Sequence, residues 1–534
     1  MTSELEQSLS AEQLSFVRRQ FFNCCSNALH DCATKTGPDT NWPRRILKLT
    51  DCVTLVDFDP EIMAGQYAAL SYCWGDKSEL EKRPPLKATS STLSSLQAGI
   101  LTLDLPLTLQ QAICICRYLD IHYIWIDALC ILQDSLLDWE IEAKKMETVY
   151  SLSKITIIAA SSTSCHSGFL NVDSSSADEK LMTPLRAPLQ LVAQQGSGSG
   201  FHHEELRYRY ETTPVLDPID RRGWTFQESY LSTRYIKFTR DDIQWKCNAG
   251  KTCLCNQPVS RDYEEQYSSQ HMNYTIRDRW HSIVSNFARR EFTADTDKLQ
   301  ALSSLARYLE PAFNAEEPTA DSKYVGGTWL NGTSPGIDLT WYIVDGNGIL
   351  PSRYIAPSFS WASLNIKGRI IFGSFKKVPL SKLIDSSTTP VFAENKFGRL
   401  SDGSITLRGP LIPFHDLDVR CPLRILNRAF FDCEADVIQL GNVRRTFRRE
   451  PDTEESDHDE RVEEWNRHDK WVLLLYGDGT FYNGIIVGRF LKNEGYQRVG
   501  YVNLTGVVSQ WYLGEKNDVG VDFFEKWAKV VTIY

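Results

Sequence analysis

The stretch LPLTLQQAICICRYLDIHYIWID (105–127) decides the reading of the fold. Leu109, Ile113, Cys116 and Leu119 fall at i, i+4, i+7 and i+10, one apolar stripe of an amphipathic helix, and Pro106 suits its first turn. YIWID (123–127) follows at once; its aromatic and β-branched residues predict a buried strand. On the N-terminal side, ILKL (46–49), CVTLVDF (52–58) and YAALSYC (67–73) read as strands. On the C-terminal side, a helix fits Asp138 to Tyr150, and KITIIAAS (154–161) reads as a further strand. Strand and helix alternating in this rhythm predict an α/β unit with a mainly parallel sheet.

The rest of the chain is organised around that unit. Residues 1–44 form an N-terminal helical segment, with Leu14, Val17, Phe21 and Ala28 near one face. The α/β unit spans 45–260 and carries an insertion near 171–210, whose QGSGSG (195–200) is flexible-linker chemistry. RGWTFQESYLS (222–232) and RYIKFT (234–239) resume helix and strand character. A helical segment follows over 261–337, and short β-like runs make 338–534 a strand-rich C-terminal region. Within it, RRTFRREPDTEESDHDERVEE (444–464) reads as a solvated charged loop.

Composition narrows the classes. With 42% hydrophobic and 24% charged residues over 534 positions, the chain is globular rather than disordered. A net charge of −10 argues against a general nucleic-acid binder. The N-terminus has no basic and apolar signal pattern, and no apolar run approaches the roughly 18 residues that span a bilayer. The expectation is a cytoplasmic protein with no membrane span. Its 14 cysteines are scattered, unlike a secreted disulfide scaffold. Cys73, Cys114, Cys116 and Cys130 lie in apolar segments and read as buried reduced thiols. Cys247, Cys253 and Cys255 lack zinc-ligand spacing, so they read as ordinary loop thiols and no metal is expected. Neither G-x-x-x-x-G-K-[ST] nor G-x-G-x-x-G occurs, so no bound cofactor is expected.

Three blocks combine dense aromatics with polar residues: YAALSYCWGD (67–76), the segment 123–150, and DRRGWTFQESYLSTR (220–234). They contain L-S-Y-x-W-G, a Leu-Pro-x-Thr helix start, W-I-D-x-L-C-I-x-Q-D, D-W-x-x-E-x-x-x-M-x-x-x-Y and R-G-W-x-x-Q-E-x-x-L-S-x-R. Over about residues 45–250 this pattern resembles the HET, or heterokaryon-incompatibility, domain of filamentous fungi. The resemblance implies a TIR- or flavodoxin-like fold for the α/β unit. It implies a role in non-self recognition and programmed cell death, with self-association through the domain and an incompatibility partner protein. Because TIR-type NAD-cleaving enzymes carry W-x-x-E with a catalytic Glu, it also implies NAD or nucleotide hydrolysis, with NAD as substrate. Two other readings stay open: a non-catalytic death-signalling adaptor, and an accessory enzyme of fungal secondary metabolism on the same fold.

The residues support a candidate site. In α/β sheets, ligands bind at the carboxyl ends of strands. Trp74, Gly75 and Asp76 follow one strand, and Asp127 ends another, with Gln133 shortly after. Trp139 and Glu142 are three apart, on one helix face. An aromatic plane beside a carboxylate suits a stacked base and ribose, and a carboxylate can stabilise a developing oxocarbenium. Glu142 and Asp127 are the catalytic candidates. Trp139 equally fits core packing with Met146 and Val149, and Glu142 a salt bridge to Lys145 or a helix-surface position. Arg222, Gly223, Trp224, Gln227 and Glu228 form a third binding cluster, where Arg222 suits a phosphate or carboxylate. An internal brace of Arg222 or Arg234 with Asp127 or Glu228 is the alternative.

Overall fold

The computed structural model describes residues 8–30, 32, 41–170, 216–255, 275–317, 322–332, 334–373, 378–413, 426–431, 470–477, 481–490, 495–505 and 528–534. The insertion near 171–210 and the charged loop 444–464 lie outside the described residues. The chain forms two compact units, one of residues 1–142, 152–220 and 232–258, the other of 143–151, 221–231 and 259–534.

The first unit opens with helix α1 (Ala11–Ser26). Ser10 and Gln13 close a reciprocal capping box at its start, satisfying two amide donors that a helix end leaves free. Leu14, Val17 and Phe21 are buried, as their spacing predicts. An eight-stranded sheet follows, in the order β2-β1-β4-β3-β5-β6-β7-β8. Its strands are β1 (Arg45–Leu49), β2 (Val53–Asp57), β3 (Tyr67–Ser71), β4 (Tyr123–Trp125), β5 (Ile155–Ile158), β6 (Arg234–Phe238), β7 (Ile243–Cys247) and β8 (Gly250–Cys253).

Only the centre of this sheet, β4-β3-β5-β6, is parallel. The β1–β2 hairpin on one side and β7–β8 on the other are antiparallel additions, which corrects the mainly parallel expectation to a mixed sheet. The reason is local: three or four residues separate β1 from β2 and β6 from β7, too few for the crossover that a parallel pair needs. All five residues of β3 are buried, the signature of a strand covered on both faces. Helix α2 (Leu107–Tyr118) packs against the neighbouring β4 and buries Leu109, Ile113 and Cys116. Each large apolar side chain so buried contributes about 1.5–3 kcal/mol.

Two sequence expectations shift here. Strand β4 stops at Trp125, and Asp127 opens a one-turn helix, Asp127–Cys130. The expected helix Asp138–Tyr150 is two helices, α3 (Leu136–Ala143) and α4 (Met146–Ser151), broken at Lys144–Lys145. A face argument therefore does not carry from Trp139 to Met146 and Val149, because the helical period is interrupted between them.

The second unit contains α4, α5 (Trp224–Leu231), α6 (Ile276–Phe287) and α7 (Lys298–Glu316). It also contains a larger β region, β9 (Lys323–Val325) to β20 (Ala528–Ile533), whose strands pair antiparallel except where β19 (Gly495–Thr505) meets β20. Strands β15 (Leu400–Pro413), β17 (Lys470–Gly477), β18 (Phe481–Phe490) and β20 join in one apolar core of Leu407, Leu473, Ile485, Val531 and neighbours. Strand richness after residue 338 was legible in the sequence; the continuation of α7 through Pro311 was not. Among the described residues, no helix is long and apolar enough to cross a membrane.

Candidate functional site

The carboxyl edge of β3 and β4 gathers the first group of candidate residues. Trp74 Nε1 donates to Asp127 Oδ2 at 2.8 Å, joining the loops that follow two adjacent parallel strands. The other oxygen, Asp127 Oδ1, accepts from Ala128 N at 2.7 Å. Both residues keep part of their surface in solvent. Lys87 Nζ lies over the Trp74 ring, 4.9 Å from its centroid, a cation–π contact.

Gly75 is forced by its backbone, which has φ +119°. A Cβ there would also meet Ser164 Cβ at 2.9 Å. Asp76 is engaged as a helix cap: its Oδ1 accepts from Glu79 N at 2.9 Å and from Ser78 Oγ at 2.8 Å. Those bonds, the Glu79 amide first, hold its carboxyl below the ordinary range. Glu79 Oε1 in turn accepts from Ser164 Oγ at 2.7 Å, and Trp74 O accepts from Cys165 N at 3.1 Å. The loop after β5 is thus tied to the loop after β3.

Gln133 belongs to this framework. Its side-chain amide donates to the carbonyls of Asp127 and Ile131, each at 3.0 Å, and its backbone N donates to Ala88 O at 2.8 Å. Asp134 accepts from Ser90 N at 3.1 and 2.9 Å. The Q-D pair therefore pins residues 88–90, next to Lys87, against the turn that carries Asp127. Cys130 is fully buried, and desolvation pushes its thiol up to about 12, consistent with a packed thiol rather than a nucleophile. Cys73 and Cys116 are also buried, whereas Cys114 is only partly so.

Thr108 of the Leu-Pro-x-Thr motif is a second fastening. Its hydroxyl is buried, donates to Ser164 O at 2.9 Å and meets Ser162 Oγ at 3.1 Å. Pro106 occupies the N-cap, one residue before the first turn of α2.

The W-x-x-E residues sit differently. Trp139 is half-buried, while Glu142 is 0% exposed and its Oε2 accepts from Arg44 N at 3.2 Å. A helix-surface position for Glu142 is thereby ruled out. Asp138, a motif residue outside the candidate set, is a well-connected buried carboxylate. It pairs with Arg45, accepts from Arg44 Nη1 at 3.3 Å and accepts from Leu132 N at 2.8 Å. The signal was present in the sequence: an acid within an apolar helix and two adjacent arginines ahead of a strand.

The third cluster belongs to the second unit. A Cβ at Gly223 would fall 1.9 Å from the Phe292 ring, so R-G-W needs glycine for packing. Arg222 O accepts from Arg290 Nη1 at 3.0 Å and from Thr225 Oγ1 at 2.9 Å, and Arg222 bridges Glu291 along the backbone. Trp224 opens α5 and is half-buried. Gln227 is fully buried, its Nε2 3.5 Å from Met146 Sδ, and Glu228 is 7% exposed. Among the described residues, the Arg234 guanidinium donates to Cys25 Sγ at 3.0 Å and to Cys32 O rather than to Asp127. Cys253 and Cys255 are joined as a disulfide, which corrects their reading as ordinary thiols.

Compared with known proteins, residues 67–228 match the family model described as heterokaryon incompatibility protein (HET). No curated protein and no solved structure matches the chain. The matched span runs from the first residue of β3 to Glu228 in α5, and so covers all the candidate residues above.

Proposed function

We propose that this chain acts in fungal non-self recognition as a heterokaryon-incompatibility protein, with growth arrest or programmed cell death as its output. The family match over 67–228 and the motif pattern support this reading. In this reading the protein works in the cytoplasm, self-associates through the matched segment and responds to an incompatibility partner.

Its molecular activity is cleavage of NAD or a related nucleotide at the carboxyl edge of the central strands. The observation that carries this reading is the Trp74–Asp127 bond of 2.8 Å across the loops after β3 and β4. The parallel strands run β4-β3-β5-β6, which in chain order is 2-1-3-4, the order of flavodoxin-like sheets and a support for a TIR- or flavodoxin-like fold. In such sheets the ligand crevice lies where the order reverses, beside β3 and β5. Trp74 offers an indole plane for a base, Lys87 a cation for phosphate, and Asp127 a carboxylate for ribose hydroxyls or a developing oxocarbenium. The proposed catalytic residues are Asp127, which faces solvent in part, and Glu142, which must first be uncovered.

The burial of Glu142 favours a second reading, a non-catalytic death-signalling adaptor. Nicotinamide release from NAD distinguishes the two, measured on the full chain alone, under crowding and fused to an oligomerising tag. Growth after overexpression is followed for wild type, Asp127→Asn and Glu142→Gln. Release that both substitutions abolish, with loss of toxicity, supports cleavage. Toxicity retained by both variants without any release overturns it in favour of the adaptor.

A further inference from the structure

Three thiols converge where the N-terminal segment meets the first unit's sheet, with His30 beside one of them. Cys24 lies near the end of α1, Cys32 follows the turn Ala28–His30, and Cys247 ends β7. The three thiols are 3%, 3% and 6% exposed, and their sulfurs all lie within 4.8 Å of one another. His30 Nδ1 lies 3.8 Å from Cys247 Sγ.

We propose that Cys24, Cys32, Cys247 and His30 bind a structural zinc ion. Zinc–sulfur bonds of about 2.3 Å and zinc–nitrogen bonds of about 2.0 Å in a tetrahedron place sulfurs about 3.8 Å apart and sulfur and nitrogen about 3.5 Å apart. The three sulfurs meet that frame with small side-chain adjustments, and His30, beside Cys247, must swing further toward Cys24 and Cys32 to complete it. Three soft thiolates with one imidazole select zinc over the hard, oxygen-seeking cations. A closed set of four protein ligands is the pattern of structural rather than catalytic sites.

The surroundings fit a built site. Arg234 donates to the Cys32 carbonyl and to Cys25 Sγ, holding the turn that carries two ligands and adding a positive charge beside the thiolates. Cys32 Sγ lies 3.1 Å from His30 O, so the two ligands share one compact turn. Cys253 and Cys255, which follow Cys247 in sequence, are bonded to each other and do not compete, and Cys25, next to Cys24, is exposed and held by Arg234. The sequence hid the site because its fourth member lies more than two hundred residues from the other three. In the fold, zinc fastens α1 to β7 and so ties the N-terminal segment to the sheet.

The test is metal content of the full-length protein purified under reducing conditions, by elemental mass spectrometry, with cobalt substitution as a second readout. Wild type and Cys73→Ser, a buried thiol outside the cluster, are expected to carry about one zinc per chain. Cys247→Ser and Cys24→Ser are expected to lose it. Cobalt added to the apo wild type is expected to give the intense visible bands of tetrahedral thiolate coordination, shifted in His30→Ala. This spectrum stands independently of whether the serine variants fold. Zinc retained by Cys247→Ser overturns the proposal. So does a reduced wild type that takes up neither zinc nor cobalt, or one that holds a disulfide within the cluster.

Discussion

Arg45, the first residue of β1, and Asp138, in α3, form a buried ion pair between residues 93 apart in sequence. Their side chains are 9% and 5% exposed. The pair is further bound on both sides: Arg45 Nε donates to Cys130 O at 2.9 Å, and Asp138 accepts from Leu132 N. It therefore fixes the segment between the Asp127 turn and α3, and with it the position of Glu142 one turn later.

Removing one partner leaves a buried charge uncompensated. Asp138→Leu is expected to destabilise the first unit by about 3–5 kcal/mol. The double variant Arg45→Met with Asp138→Leu is expected to cost clearly less than the two single changes added together. Urea unfolding of all four proteins measures this; strict additivity would contradict a coupled pair.

Gly75 holds φ +119° between Trp74 and the helix cap Asp76. Gly75→Ala imposes roughly 1–3 kcal/mol of backbone strain. It also drives a methyl toward Ser164, 2.9 Å away. A fall in melting temperature is expected, with faster proteolysis between β3 and the helix Lys77–Lys82. An unchanged melting temperature would show that the loop relaxes freely.

Trp74→Phe keeps the ring and removes the indole donor to Asp127. The expected loss is about 1 kcal/mol of stability, as for one hydrogen bond to a charged acceptor that retains water. If the Trp74–Asp127 pair serves the proposed cleavage, activity falls by more than that stability loss explains. Parallel measurement of urea unfolding and nicotinamide release separates the two effects.

Lys298 gives a pH signature to the second unit. The residue is 1% exposed, and its ammonium donates to Leu364 O at 2.5 Å and Asn365 Oδ1 at 3.0 Å. Burial lowers its pKa from 10.5 to about 8. Between those values the unfolded chain holds the proton and the folded chain does not, so this residue makes stability rise with pH across that window. Below about pH 8 both states are protonated and the contribution is flat. The full rise is about 3 kcal/mol at about 1.4 kcal/mol per pH unit. Subtracting the unfolding profile of Lys298→Met isolates it; a difference that falls or stays flat between pH 8 and 10 would refute the assignment.

How much was legible depends on whether a feature is local. Leu109, Ile113 and Cys116 named α2 because a helix buries every third or fourth residue. Strand β3 was legible as a strand from YAALSYC, whereas its burial on both faces was a finding of the fold. The partners of side chains were less legible. Asp76 looked like a ligand group and caps a helix. Gln133 looked like a site residue and holds a loop. Gly223 and Arg222 looked like a binding cluster and pack against Phe292 and Arg290. Polar residues in a motif satisfy backbone groups as readily as they bind a ligand, and residue type alone does not separate the two.

By itself the sequence determined the alternation of strands and helices over 45–160, the strand-rich second half and the motif blocks, because periodicity and turn chemistry act over a few residues. Tertiary structure alone decided what depends on long-range pairing. It set the mixed sheet, since pairing direction follows which strands meet. It buried Glu142 while leaving Asp127 beside solvent, since burial is set by what packs over a side chain. It brought Cys247 to Cys24 and Cys32, since only the assembled sheet carries the end of β7 to the N-terminal turn.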